Sequence, residues 1–230
     1  MGKLIAQEKS TVVPGEELAE GMDFLPGFGA YRSKDHIVAS RLGMFNVENR
    51  TLKVTPLSGR YMPLKGDVII GKVIDIFFSG WRIETNCAYP AMLSLKDATA
   101  DYISKGADLT RFFNIGDYVV CKVINVTSQK LIDLTAKGPG LHKLHGGRVI
   151  EISTNKVPRL IGQAGSMVTM IKQETNCNII VGQNGLVWID GEPQAEYLAV
   201  QAIRKIEDEA HIPGLTDRVK ALLESGKVKK

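Results

Sequence analysis

Between residues 66 and 137 apolar and polar positions alternate in short runs bounded by glycine and polar clusters. Val68-Ile69-Ile70 leads through Gly71 to Ile76-Phe77-Phe78, and Trp81-Arg82-Ile83-Glu84 alternates strictly. Tyr89 to Leu95 follows, then a polar insert with Asp97, Asp101 and Lys105. Gly116-Asp117-Tyr118-Val119-Val120-Cys121-Lys122-Val123-Ile124 and Leu131-Ile132-Asp133-Leu134 complete the set. Alternation with period two is the signature of strands with one buried face, and five such strands in about seventy residues predict a small barrel.

Upstream the texture differs. Residues 1–65 carry turn signals such as Val13-Pro14-Gly15 and Leu25-Pro26-Gly27-Phe28-Gly29. Strand-like pieces lie between them, Ile37-Val38-Ala39 and Thr51-Leu52-Lys53-Val54, with a polar turn over Asn46 to Arg50. A small β domain is expected. Downstream, Gly138 to His145 reads as a linker, after which the period shifts to a mixed α/β pattern. Arg148 to Ile152 predicts a strand, Val157 to Ile161 a short helix with Pro158 in its first turn, and Ser166 to Thr175 a second helix. Asn178 to Val181 and Leu186 to Ile189 are strands joined by Gly182-Gln183-Asn184-Gly185, whose Asn-Gly is a strong hairpin signal. Ala195, Leu198, Ala199, Ala202, Ile203 and Ile206 recur at helical spacing, and Thr216 is positioned to cap a last helix carrying Val219, Leu222 and Leu223.

Composition adds limits. The chain has 230 residues, 44% hydrophobic and 23% charged, with a net charge of +4. Basic and acidic side chains number 9 and 7 over residues 1–65, 8 and 8 over 66–137, and 12 and 10 over 138–230, so no segment is a basic arm. Any nucleic-acid surface must therefore be a local arrangement on a fold. The three cysteines, Cys87, Cys121 and Cys177, show no metal-like spacing and point to a reducing, cytoplasmic setting. No apolar run is long enough to span a membrane, and no secretory signal is expected after Met1. Catalysis and cofactors are not expected. There is no nucleophile elbow and no H-E-x-x-H, His142 and His145 lack a third ligand, and Asp97, Asp101 and Asp108 fall in a polar connector.

The most informative motif is Ile161-Gly162-Gln163-Ala164-Gly165, between two predicted helices. Glycines at both ends let backbone approach a phosphate closely, and the helix starting at Ser166 directs free N–H groups and its positive dipole end the same way. No Lys-Ser/Thr follows, as an NTP-binding loop would need, and the third glycine of a dinucleotide loop is missing. The order strand, helix, G-x-x-G, helix, strand, strand, helix resembles a type I KH domain (βααββα). That resemblance implies single-stranded RNA clamped by Gly162, Gln163, Ala164, Gly165 and Ser166, with charge from Lys156, Arg159 and Lys172.

The barrel resembles the S1-type OB domain. Gly66-Asp67-Val68, Gly71-Lys72-Val73, Gly80-Trp81-Arg82-Ile83, Leu93 and Gly116-Asp117-Tyr118-Val119 carry the likeness. Ser79 and Arg82 stand where that family presents stacking aromatics, and Ser94 where a histidine is common. Arg82, Lys72, Lys96, Arg111 and Lys122 are the candidate contacts here, while Trp81, Phe77 and Phe78 are expected to divide between core and interface. The fold class is thus multidomain, β-rich plus α/β. It comprises a β domain over 1–65, a five-stranded OB barrel over 66–137, and a KH domain with a C-terminal helix over 138–230.

Val13-Pro14-Gly15-Glu16, Gly27-Phe28-Gly29-Ala30-Tyr31, Val54-Thr55-Pro56-Leu57, Arg60-Tyr61-Met62-Pro63 and Gly214-Leu215-Thr216-Asp217-Arg218 extend the likeness to the whole chain. It resembles the family of RNA-binding cap subunits of the archaeal exosome. Membership implies a non-catalytic subunit, a trimer with other cap subunits. It would sit on a hexameric ring of RNase-PH-like proteins, capture single-stranded RNA and feed its three-prime end to phosphorolytic sites in the ring. The N-terminal domain would dock on the ring. A free-standing OB/KH factor of transcription or translation would share the order of domains. A polynucleotide-phosphorylase fragment would reverse it.

Overall fold

The computed structural model describes residues 2–99, 103, 104 and 106–226. They fall into two compact units, Met1–Gly59 and Arg60–Lys230. Asp101 and Lys105 of the polar insert lie outside the described residues.

Among the described residues the first unit has eight short strands: β1 (Lys3–Leu4), β2 (Thr11–Val12), β3 (Glu17–Glu20), β4 (Leu25–Pro26), β5 (Ala30–Ser33), β6 (His36–Ala39), β7 (Gly43–Glu48) and β8 (Thr51–Pro56). They form two sheets, ordered β1-β3-β6-β5 and β2-β7-β8-β4. Val12, Leu18, Ile37, Phe45, Leu52 and Val54 meet in their shared core. The polar turn is narrower than the sequence suggests. Asn46 to Glu48 belong to β7, and only Asn49 and Arg50 turn, both with positive φ, as a two-residue hairpin favours.

In the second unit, β9 (Val68–Phe77), β10 (Gly80–Glu84), β11 (Ala91–Ser94), β12 (Tyr118–Val126) and β13 (Ile132–Thr135) close a barrel in the order β10-β11-β13-β12-β9. β9 runs unbroken through Gly71. Its first half pairs with β12 and its second half with β10, so one long strand turns the corner that closure requires. Trp81 fills the interior, its indole N–H donating to the Phe113 carbonyl at 2.9 Å and its ring edge-on to Phe113. The two Gly-Asp pairs do matching work. The Gly66 amide donates to Val123 and the Gly116 amide to Val73, each at 2.8 Å. Asp67 accepts from the Leu64 amide, and Asp117 from that of Asn114. The polar insert contributes a one-turn helix, α1 (Leu95–Ala98), and a 3-10 turn, Leu109–Arg111.

The α/β part has β14 (Arg148–Glu151), α2 (Val157–Ile161), α3 (Ser166–Thr175), β15 (Asn178–Val181), β16 (Leu186–Asp190), α4 (Pro193–Glu209) and α5 (Leu215–Gly226). The sheet order is β14-β16-β15, antiparallel throughout, with Leu198, Ala199, Ala202, Ile203 and Ile206 of α4 buried with α2, α3 and α5. Thr216 is not the cap of α5, which already begins at Leu215.

Two segments, the expected linker and the expected hairpin turn, tie the α/β part to the barrel. Gly138 to His145 is no free spacer. The Val120 amide donates to the His142 carbonyl at 2.9 Å, the Leu144 amide donates to Tyr118 at 2.8 Å, and Leu144 is buried. The segment thus runs along β12, and Lys143 forms an ion pair with Asp117. The Gly182–Gly185 turn also reaches the barrel. The Gln183 backbone and side chain together engage both backbone groups of Val68. Asn184 is fully buried and takes both backbone groups of Ile70 and the carbonyl of Thr85. Ile70, Val120, Leu144 and Trp188 form a small shared core with Tyr118, Val149 and Ile180 packed on it. The sheet face opposite the helices is therefore covered by the barrel.

Candidate nucleic-acid interface

The G-x-x-G loop is built by three left-handed residues in four. Gly162 has φ 74°, Ala164 φ 51° and Gly165 φ 80°. A Cβ at Gly162 would lie 2.8 Å from the Met167 amide nitrogen, so space as well as torsion demands glycine there. At Gly165 the torsion alone demands it, since nothing lies nearer than Thr169 Oγ1 at 4.0 Å. Gln163, Ala164 and Ser166 are exposed, and α3 starts without a side-chain cap. Its first amides therefore meet solvent or an anion at the positive end of a ten-residue helix.

Arg159 on α2 and Lys172 on α3 are exposed, and Lys156 is half-buried at the end of the 3-10 turn Thr154–Lys156. None of the three makes an ion pair among the described residues. The fold brings all three to the helical side of the α/β part, on the elements that carry the loop. That is the side left open, because the opposite sheet face is packed on the barrel.

The barrel candidates do not converge. Lys72 lies on β9 with its ammonium 5.9 Å from the Tyr118 ring centroid, beside Glu84 in register. Lys122 projects from β12 opposite Val68 and Thr135. Arg111 is exposed on its 3-10 turn, 3.8 Å from Asp108. Arg82 stacks its guanidinium on Phe77, 4.7 Å from the ring centroid. In register, Asp75, Arg82, Met92 and Asp133 form one outward row across β9, β10, β11 and β13. Two carboxylates flank one guanidinium there, a poor lining for a phosphate track. Lys96 is exposed on α1, whose opening Leu95 amide donates to the Ser79 carbonyl in the β9–β10 turn at 3.1 Å.

Asp108 is held below the usual carboxylate range chiefly by the Thr110 hydroxyl and amide. Asp97 accepts from the Ser94 hydroxyl at 2.6 Å. No group of three or more metal-binding side chains is found among the described residues, and none of their helices is long and apolar enough to cross a membrane. Of the aromatics expected to divide between core and interface, Trp81 is fully buried, whereas Phe78 is 94% exposed. Sequence alternation did not set Phe78 apart. The usable signal was its place directly before Ser79-Gly80, where a two-residue turn throws a side chain outward.

Comparison with known proteins fits this geometry. The KH domain family model matches residues 147–195, and that of the RRP4 S1 domain matches residues 60–105. The exosome complex component Rrp4 of Pyrococcus abyssi is 43% identical over 97% of this chain and 85% of its own length. Rrp4 of Methanothermobacter thermautotrophicus is 41% identical over 96% of this chain and 70% of its own length. Rrp4 of Picrophilus torridus is 42% identical over 95% and 94%. A crystal structure assigned as an exosome complex RNA-binding protein superposes with a TM-score of 0.67. It is 33% identical over 74% of this chain and 98% of that one.

Proposed function

The chain belongs to the Rrp4 family of exosome components, and from that premise we propose that it is a non-catalytic, RNA-binding cap subunit. It captures single-stranded RNA and passes the three-prime end to a hexameric RNase-PH-like ring, which performs phosphorolysis in the cytoplasm. Three copies cap one ring. The observation that carries this reading is the identity with Rrp4 proteins across nearly the entire chain, including both RNA-binding modules and the β domain before them.

The physical chemistry supports it. Phosphate contacts position a strand without reading its sequence, which suits an entrance that must pass any RNA. Here the exposed G-x-x-G loop with Arg159, Lys156 and Lys172 would hold the backbone, while Arg82, Lys96 and the scattered Lys72, Lys122 and Arg111 add weak attraction. Each site alone is modest. Three copies on one ring raise the effective concentration of sites, so that weak contacts add without tight binding that would stall transfer. The β unit, residues 1–65 in this reading, would dock on the ring, since Val13, Met22, Leu25, Phe28 and Tyr31 are exposed apolar side chains.

The test is reconstitution. The purified chain mixed with RNase-PH-like ring proteins from the same source should form a stable complex with three caps per ring. Failure to associate across a range of salt would refute the assignment. The chain alone should leave labelled RNA intact with phosphate and magnesium, and cleavage by the chain alone would overturn its non-catalytic role.

A further inference from the structure

Arg41 lies in the short link, residues 40–42, between β6 and β7 of the first unit. Its Nε–H is shut off from solvent and has no hydrogen-bond partner among the described residues. Its guanidinium forms no ion pair among them either. Instead it lies over the Phe28 ring, 5.0 Å from the centroid. A buried polar group without a partner is rare in a folded chain, because it gives up hydration and receives nothing in return. Arg41 in the free chain is therefore short of an acceptor.

The backbone around it is close-packed. The Ser40 amide donates to the Gly29 carbonyl at 2.9 Å, the Val54 amide to the Phe28 carbonyl at 2.8 Å, and the Leu57 amide to the Leu42 carbonyl at 3.4 Å. A Cβ at Gly29 would lie 2.5 Å from the Val54 carbonyl oxygen, and one at Gly43 would lie 2.4 Å from that of Thr55. The two glycines thus let residues 28–29, 41–43 and 54–57 run against one another. Each of these strips exposes one large apolar side chain: Phe28, Leu42 and Leu57. Phe28 lies under Arg41, Leu42 follows it in the chain, and Leu57 is bonded to Leu42.

The missing acceptor has a definite chemistry. A carboxylate offers a guanidinium two parallel hydrogen bonds and the opposite charge. Phosphate offers the same, but a phosphate track draws on several cations. The three strips carry no charge besides Arg41, and Lys53, the cation of β8, is already paired with Glu48. An arginine set among an aromatic ring and exposed aliphatic side chains matches the make-up of a protein-binding hot spot. A guanidinium parked on a ring with one N–H unsatisfied loses little by turning to a partner's carboxylate, because that contact removes the deficit.

We infer that Arg41 is the charged anchor of the β unit's docking surface. It takes an Asp or Glu carboxylate of the RNase-PH-like ring, while apolar side chains of the ring cover Phe28, Leu42 and Leu57. This rests on the cap reading above and names the chemistry of its protein contact.

The test titrates the labelled full chain with assembled RNase-PH-like ring proteins from the same source. Arg41→Ala should weaken association by about 30-fold or more, the size of an arginine hot spot. Its melting temperature and its affinity for single-stranded RNA should stay as in the parent. Arg41→Glu should associate more weakly still. Among exposed ring carboxylates changed one at a time to arginine, one reversal should restore Arg41→Glu and weaken the parent chain. Unchanged association of Arg41→Ala, or the lack of any restoring reversal, would overturn the anchor and leave the cap reading standing. So would a melting temperature that falls in both variants, the mark of a structural role. Lost RNA affinity with ring association intact would overturn it too, in favour of a phosphate ligand. A parent chain that does not join the ring would instead defeat the cap reading, and the anchor with it.

Discussion

Replacing Asn184 with alanine removes the side chain that joins the α/β part to the barrel. Three hydrogen bonds disappear. The Ile70 amide loses Oδ1 at 3.3 Å, and the carbonyls of Ile70 and Thr85 lose Nδ2 at 2.7 and 3.0 Å. All three backbone groups remain in a site where Asn184 itself has 0% exposure, so water does not readily replace the amide. An unpaired buried backbone group costs about 1–3 kcal/mol, and the long Ile70 contact belongs at the lower end. The expected loss is about 3–5 kcal/mol. Asn184→Asp should be worse at neutral pH, because a carboxylate oxygen would face two carbonyl oxygens where the amide now donates. Urea unfolding of the full chain reads the loss directly. Amide exchange should rise at Val68 to Ile70 and Gly182 to Gly185 before it rises in β10 and β11. A shift under about 1 kcal/mol, or uniform exchange across the barrel, would refute Asn184 as the joining element.

Gly162→Ala should destabilise the chain by about 2 kcal/mol or more in thermal melts, since a left-handed torsion and the Met167 contact both oppose a Cβ. Gly165→Asp should keep the fold, because space is open there, and weaken RNA binding on the order of tenfold by setting a carboxylate at a phosphate contact. Unchanged affinity would remove the loop from the site. Burial alone would raise the Asp117 carboxyl. Hydrogen bonds from Lys143 and the Asn114 amide, with the Lys143 charge, outweigh it and hold the group below its ordinary 3.8. Ionised Asp117 is thus favoured by folding. Its contribution is fully present above about pH 4 and is lost as pH falls through the lowered value. Melting temperatures between pH 6 and pH 3 should fall less steeply in Asp117→Asn. Burial pushes the Cys121 thiol up to about 12 and raises that of Cys177 as well, whereas Cys87 is half-exposed. A thiol reagent at pH 8 should therefore label Cys87 alone until urea is added, and rapid labelling of all three would contradict the barrel core.

Local periodicity carried much of the fold. Val68 to Phe77, Trp81 to Glu84 and Tyr118 to Val126 read as strands because their alternation is itself the cause of one buried face. The spacing of Leu198, Ala199, Ala202, Ile203 and Ile206 specified α4 for the same reason. Gly162 and Gly165 marked a tight loop because torsions closed to other residues leave a trace in the sequence. Thr216 misled because a capping residue can also sit inside the helix it might begin, and the helix starts at the buried Leu215, two residues before a Thr216 cap would allow.

Other features had no local trace. Gln183 and Asn184 looked like an ordinary hairpin turn, yet their partners lie 115 and 114 residues away. Glycine and histidine between Gly138 and His145 suggested slack, but the edge of β12 offered hydrogen bonds that the segment took. Arg82 was legible as a cation, while its Phe77 partner and its Asp75 neighbour followed only from register.

The sequence alone determined the kinds of element, their order, the two RNA-binding modules and the glycine loop, since each follows from interactions among residues close in the chain. Tertiary structure alone decided that barrel and α/β part form one unit, that the α/β sheet face is covered, and that Phe78 stands in solvent at the turn between β9 and β10. Those outcomes depend on which buried polar groups find partners across more than a hundred residues and on which way a closed barrel aims its turns. Neither is encoded in local periodicity.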